Sequence, residues 1–384
     1  MQLLFESLFN GVAIGSVLLM AALGLAIVFG LMGVINLAHG ELIMLGAYTT
    51  YVVQLIFKLP ALQPLYNAYV LVAIPLAFIV SGVVGILLER TVIRRLYGNP
   101  LETLLATWGV SLILQQFVRS VPLAQAAGVI LALVMGFGLP LLLPDQLLTG
   151  PRARLVRAGS WAVSALGGVL LAGGLASQIS QIARATSRNV DVTAPKWMRG
   201  GIEWMDITFP VPRLVIIVMT IIAVVGVIWF LNRSVWGMRI RSVTQNRSMS
   251  DCLGIPTDTV DVLTFGIGSG LAGVAGVAVS LLGSVGPNVG TSYIVGCFMV
   301  VVLGGVGNLL GTVIASFAIG LCTDLIGAGR LLTIWPDMPA PLEQVVSFFA
   351  TTSMAQVMVF TLIVVLLQFR PAGLFPQKGR MVEA

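Results

Sequence analysis

The chain has one histidine, set in a polar island between two apolar stretches: Gly30-Leu-Met-Gly33-Val-Ile-Asn36-Leu-Ala-His39-Gly40-Glu41. An amide, an imidazole and a carboxylate this close together offer donors and acceptors to a polar solute, or to one another. At membrane depth such groups are costly, so by default they face a cavity or a partner. The glycines permit a broken helix here, which would free backbone groups to meet a solute. A plainer reading also fits: His39 and Glu41 sit at the cytoplasmic interface, or pair internally to hold the fold. One histidine and one nearby carboxylate are too few ligands for a metal site.

A second glycine-rich region begins Gly283-Ser-Val-Gly-Pro-Asn288-Val-Gly290-Thr-Ser-Tyr and ends Gly304-Gly-Val-Gly-Asn308-Leu-Leu-Gly311. Asn288 and Asn308 are flanked by helix breakers. Interrupted apolar segments in the two halves of a chain point to a path between repeats; close glycine packing of helices explains them equally well. A third region, Arg233 to Pro256, is polar. Within it Asn246 to Leu253 is expected to form a short helix ended by Gly254 and Pro256. Met249 and Leu253, four apart beside Arg247, give it a small apolar face that could enter a groove on a soluble partner. An interfacial loop held by anionic lipid is the alternative.

These regions must be positioned by membrane helices. Of 384 residues, 58% are apolar and only 9% charged, whereas a soluble domain carries roughly 25% charged residues. Too few charges remain to cover a water-facing surface of this size. Eleven apolar runs, near 7–30, 37–57, 69–89, 101–119, 121–143, 158–177, 214–232, 259–285, 292–306, 309–327 and 347–369, are candidate spans. The expected fold is all-α, one polytopic domain over 1–384 with 8–11 transmembrane helices, some broken or re-entrant. The runs lack the alternation of barrel strands. The first run follows no basic segment and reads as a retained span rather than a cleaved signal.

The net charge of +6 sits in short clusters and not on one continuous face, so it reports orientation and not nucleic-acid binding. Arg90, Arg94 and Arg95, then Arg152, Arg154 and Arg157, then Arg233, Arg239, Arg241 and Arg247, then Arg370, Lys378 and Arg380 all fall on one side of eleven spans. Basic loops stay cytoplasmic, which implies an external N-terminus and a cytoplasmic C-terminus. On this topology 178–213 is the main external segment, expected to be an ordered loop with little regular structure, and 233–258 is cytoplasmic. The external segment is either a passive connector or a docking surface. Cys252, Cys297 and Cys322 form no disulfide or metal framework. The chain carries no phosphate loop, HExxH or GxSxG motif, so no catalytic residue is assigned.

The Gly-Val-Ile-Asn-Leu-Ala-His-Gly-Glu core, Asn10-Gly11, Arg241 to Ile255 and Val302 to Gly311 together resemble the permease subunits of branched-chain amino acid type ABC importers. The likeness leaves out roughly 121–177. Thr244 to Arg247, Asp191 to Gly201 and the chain length look most like the first permease subunit of urea and short-amide importers. The resemblance implies a transporter subunit of a bacterial inner membrane, not an enzyme, with no cofactor. It implies a second permease, two cytoplasmic ATPases and an extracytoplasmic solute-binding protein as partners. Translocation would then use Asn36, His39, Gly40, Glu41, Asn288 and Asn308. Coupling to the ATPases would use Asn246, Arg247, Met249, Ser250, Leu253 and Gly254. The cargo expected is urea or short amides, with branched-chain amino acids as the alternative within the family. A passive channel or secondary carrier is the alternative outside it.

Overall fold

The computed structural model describes residues 2–60, 62–120, 128, 132, 163–170, 189–204, 207–330, 347–348, 350–370 and 373–375. The protein is an all-α, polytopic membrane protein. Its helices are α1 (Gln2–Met32), α2 (His39–Phe57), α3 (Tyr69–Thr91), α4 (Pro100–Ser120), α5 (Val211–Arg233), α6 (Val235–Gln245), α7 (Arg247–Cys252), α8 (Thr257–Leu282), α9 (Val289–Gly304), α10 (Leu309–Gly327) and α11 (Thr352–Phe369). Among the described residues, seven helices (α1 to α5, α8 and α10) are long and apolar enough to cross a membrane, and α9 and α11 are shorter apolar helices. Nine of the eleven expected runs therefore fall on helices. The run at 121–143 lies outside the described residues but for two positions, and that at 158–177 is described only as a helix over 163–170. The basic clusters at 152–157 and 378–380 also lie outside them.

The helices divide into two compact units. The first comprises Met1–Ile35, Lys196–Thr264 and Ser292–Ala384; the second comprises Asn36–Pro195 and Phe265–Thr291.

In the first unit α1 packs along α10 through small residues. Gly11 lies against Leu321, Gly15 against Ser316 and Phe317, and Gly30 against Gly307. Helices in lipid gain no hydrophobic energy by meeting, so close backbone approach and dispersion hold them. Thr220 of α5 donates to the Ser16 carbonyl of α1 at 3.1 Å. At one end of these helices Arg330 meets Glu6 at 3.1 Å and Asp324 at 3.7 Å, while Arg213 donates to the Asn10 amide oxygen. At the other, Asn308 donates to the Phe375 carbonyl and Leu374 N–H to the Leu303 carbonyl. The starts of α1 and α5 thus share a face with the end of α10. The ends of α9 and α11 share the opposite face with the start of α10, as strict alternation of spans requires.

The polar stretch before α5 departs from the expectation of little regular structure. It holds an antiparallel hairpin of β1 (Gly201–Trp204) and β2 (Ile207–Pro210), and α5 begins directly after it. Pro210 and Pro212 do not break structure here. Pro212 lies in the first turn of α5, where a missing N–H costs nothing. Phe209 packs edge-on against Phe9.

In the second unit glycines join α8 to both α2 and α3. Gly273 lies against Gly46 and the Ala77 carbonyl, Gly276 against Ile43 and Ala47, Gly266 against Ile86, and Gly85 against Ser269. Ser81 of α3 donates to the Leu42 carbonyl of α2 at 3.0 Å. A side chain at Gly273 would enter the backbone of α3, whereas Gly109 of α4 has open space around it. Gly273→Val is expected to lower stability by about 1–3 kcal/mol through overpacking. Gly109→Ala should be neutral or slightly stabilising, and thermal unfolding of the purified protein in detergent distinguishes the two.

Candidate functional site

The helix break anticipated at Gly30 to Glu41 is present. Gly33, at φ 69°, ends α1, and the chain is non-helical until His39 opens α2. Only a residue without Cβ adopts that conformation cheaply. From Asn36 onward the break belongs to the second unit, where α4 holds it. Leu37 N–H donates to Thr107 Oγ1 at 3.2 Å, and Ser111 Oγ donates to Glu41 Oε1 at 3.1 Å. Asn36 and His39 are fully buried and Glu41 is 1% exposed. Ser111 lies midway along α4, about 16 Å from its start at 1.5 Å per residue. Glu41 therefore lies beside the middle of α4 while standing in the first turn of α2.

The α4 side of this site was not anticipated, because 101–119 read simply as an apolar run. Thr103, Thr107, Ser111, Gln115 and Arg119 recur every four residues, which places them along one side of the helix. Leu101, Leu105, Trp108, Leu112 and Ile113 are exposed on the remainder, while Thr103, Thr107 and Ser111 are buried. The stripe continues to Asn288. Its amide oxygen accepts from Gln115 Nε2 at 3.0 Å and from Arg119 Nη2 at 2.9 Å. Gly290 packs on the Gly40 backbone, so the starts of α9 and α2 are in contact. Of the residues expected in a path, Glu41 and Asn288 thus bond to the polar side of α4, Gly40 packs on Gly290, and Asn36 and His39 are buried in the same break. The four-residue spacing of hydroxyl, amide and guanidinium side chains was the available signal.

Asn308 has other duties. It caps α10, accepting from Gly311 N–H at 3.2 Å, and its Nδ2 binds the Phe375 carbonyl. It also borders a cavity of about 530 Å³ in the first unit, lined by Ile27, Leu31, Asn232, Arg241 and Gln245 among others. Among the described residues no three His, Cys, Asp or Glu side chains lie together as a metal would need.

The short helix expected at 246–253 is α7. Asn246 caps it, accepting from Met249 N–H at 2.9 Å, and Gly254, at φ 78°, ends it. Ser250 is buried and donates to the Asn246 carbonyl. Arg247 reaches Asp261 at 2.6 Å and Asp258 at 3.7 Å. The outward face carries Met249, 59% exposed, and Leu253, 75% exposed. Of the six residues expected to couple, then, Asn246, Arg247 and Ser250 bond within the chain and Met249 and Leu253 face outward.

Both polar atoms of the Asn36 side chain, and Glu41 Oε2, have no hydrogen-bond partner among the described residues. A buried amide left unsatisfied costs about 1–3 kcal/mol. Asn36→Leu, close in volume, is therefore expected to raise stability or leave it unchanged, while transport by the complete system falls. Paired thermal-unfolding and uptake measurements check this. A stability loss with retained uptake would show that the amide serves the fold.

Residues 7–121 and 106–367 match the family described as the permease component of branched-chain amino acid transport systems. The chain is 26% identical over 371 residues to the high-affinity branched-chain amino acid transport system permease protein BraD of Pseudomonas aeruginosa, covering 96% of this chain and 94% of that protein. It is 25% identical over 339 residues to the corresponding permease LivH of Escherichia coli, covering 87% of this chain and 89% of LivH. A probable permease of this kind from Methanocaldococcus jannaschii is 24% identical over 140 residues, 36% of this chain and 44% of its own length. No solved structure matches significantly. A multi-pass helical fold, a buried polar break between α1 and α2 and these matches agree: the chain belongs to the family of permease components of branched-chain amino acid transport systems.

Proposed function

We propose that this chain is one permease subunit of an ABC importer in a bacterial inner membrane, paired with a second permease and driven by two separate cytoplasmic ATPases. Its cargo on this reading is a branched-chain amino acid delivered by an extracytoplasmic binding protein. The observation that carries the cargo is the likeness, over nearly their whole lengths, to permeases named for branched-chain amino acids. The observation that carries the coupling is α7. Its polar side chains bond within the chain while Met249 and Leu253 stand exposed, as a helix that inserts into a protein groove would present them.

Arg90 and Arg233 lie in the last turns of α3 and α5, Arg94 and Arg95 follow α3, and Arg239 and Arg241 lie within α6; their retention on the cytoplasmic side would place α7 there. The N-terminus would then be external and the C-terminus internal. The hairpin β1–β2, preceded by exposed Lys196, Trp197 and Arg199, would face the binding protein. The path would run past Asn36, His39, Gly40 and Glu41 along the polar stripe of α4 to Asn288.

Urea or a short amide is the second reading, and one observation favours it. The buried Asn36 amide has both its donor and its acceptor unmatched, the complement of another amide. Proteoliposomes holding all subunits and the binding protein decide between these cargoes. ATP-dependent uptake of labelled leucine but not urea is expected; the reverse result assigns the amide reading. Uptake at equal rate without ATPases or ATP would remove the importer assignment in favour of a channel. Met249→Asp with Leu253→Asp should reduce ATPase co-purification and uptake by about tenfold or more, as loss of central apolar anchors does at interfaces.

A further inference from the structure

Helix α7 is tied to both of its neighbours. Toward α6 the chain passes through Asn246, an extended residue at φ −154° and ψ 104° whose N–H returns to the Ser242 carbonyl at 3.1 Å. Toward α8 it is bonded repeatedly. Ile255 N–H donates to the Ser250 carbonyl at 3.1 Å, Gly254 N–H to the Asp251 carbonyl at 3.0 Å, and the Thr257 hydroxyl lies 3.4 Å from the Asp251 carboxylate. Arg247, the first residue of α7, closes the far end of the arrangement on Asp258 and Asp261 in the first two turns of α8. The Asp261 side chain is 5% exposed. A shielded carboxylate of this kind depends on its cation far more than a surface pair does, because losing the cation strands a buried charge.

Helix α8 then runs unbroken from residues of the first unit into residues of the second. At 26 residues it is about 39 Å long. Its later turns carry Gly273 and Gly276, packed on Gly46 and on the Ile43 and Ala47 backbone of α2. Ile43 lies two residues beyond Glu41. Backbone packed on backbone through glycine leaves no side chain to absorb a displacement, so movement of α8 is passed to the start of α2.

We propose that Arg247 and Asp261 form a strut that makes α7 and α8 move as one body, so that α8 carries the displacement of the coupling helix to the Asn36–Glu41 turn. The inference rests on the importer reading. It makes Arg247 and Asp261 positioning residues and leaves the ATPase contact to Met249 and Leu253.

The test uses the complete importer in liposomes with Arg247→Asp, Asp261→Arg and the double exchange. Three quantities are measured: ATPase co-purification, stimulation of ATP hydrolysis by the loaded binding protein, and cargo uptake. Each single reversal is expected to keep the ATPases bound, to lose the stimulation and to reduce uptake at least about tenfold, within the usual range of coupling between sites. The exchange should restore uptake to within about threefold, since the pair and not either charge is required. Should a reversed variant fail to accumulate, Asp261→Asn, which leaves no buried charge, replaces it, with partial loss of stimulation expected at wild-type thermal stability. The strut is overturned if wild-type uptake is ATP-dependent and the reversals or the neutral variant match it, if the exchange is no better than the reversals, or if stability and uptake fall in parallel. Absence of ATP-dependent uptake in the wild type would overturn the importer reading instead.

Discussion

In a hydrocarbon solvent, a backbone amide outside a helix must find its partner inside the protein. The segment from Asn36 to Ala38 is where this demand falls most heavily. His39 N–H returns to the Asn36 carbonyl, Glu41 and Leu42 N–H to the Ala38 carbonyl, and Leu37 N–H leaves the segment to reach Thr107. Without the Thr107 hydroxyl the break would contain an orphaned donor. The rest of the site follows from this single debt. A helix supplying one hydroxyl to the break is fixed in rotation, and its next residues on the same side, Ser111 and Gln115, are thereby presented to Glu41 and Asn288.

The glycine contacts answer the same solvent. Where water drives helices together, bulky side chains interlock; in lipid, attraction comes from contact itself. Helix α8 uses Gly266, Gly273 and Gly276 against α3 and α2, and α1 uses Gly11 and Gly15 against α10. Such surfaces resist compression, and with no side chain between the backbones a displacement of one helix is felt by its neighbour. Polar pins such as Leu37 to Thr107 and close glycine faces are the two kinds of joint that hold these helices together.

Much of the fold was legible because hydropathy over some twenty residues is a strong signal, and the broken helix at Gly33 was legible because glycines and polar residues interrupt an apolar run there. The polar stripe of α4 was not, since threonine and serine barely lower the hydropathy of a leucine-rich segment. The spacing of Thr103, Thr107, Ser111, Gln115 and Arg119 carries the signal instead. The hairpin before α5 was obscured by Pro210 and Pro212, which read as breakers although Pro212 opens a helix. The role of Arg247 was hidden for another reason: its partner Asp261 lies fourteen residues away inside what read as an apolar run, and a pairing across a turn leaves no local pattern.

Polar groups that the chain itself satisfies have been given structural work: Asn246 and Asn308 cap helices, Ser250 bonds back to its own turn, and Arg247 ties two helices together. Two features among the described residues stand apart from this. One is the Asn36 amide with Glu41 Oε2, buried and without a hydrogen-bond partner there; the other is the exposed Met249 and Leu253 pair on a polar segment. Each is costly for an isolated subunit, and on the proposed reading each is matched when something else arrives, a small polar solute at the first and a protein surface at the second. A membrane protein with one such feature would be a pore or an anchor. Having both, connected through α8, is what a machine needs when energy is released at one place and a solute is moved at another.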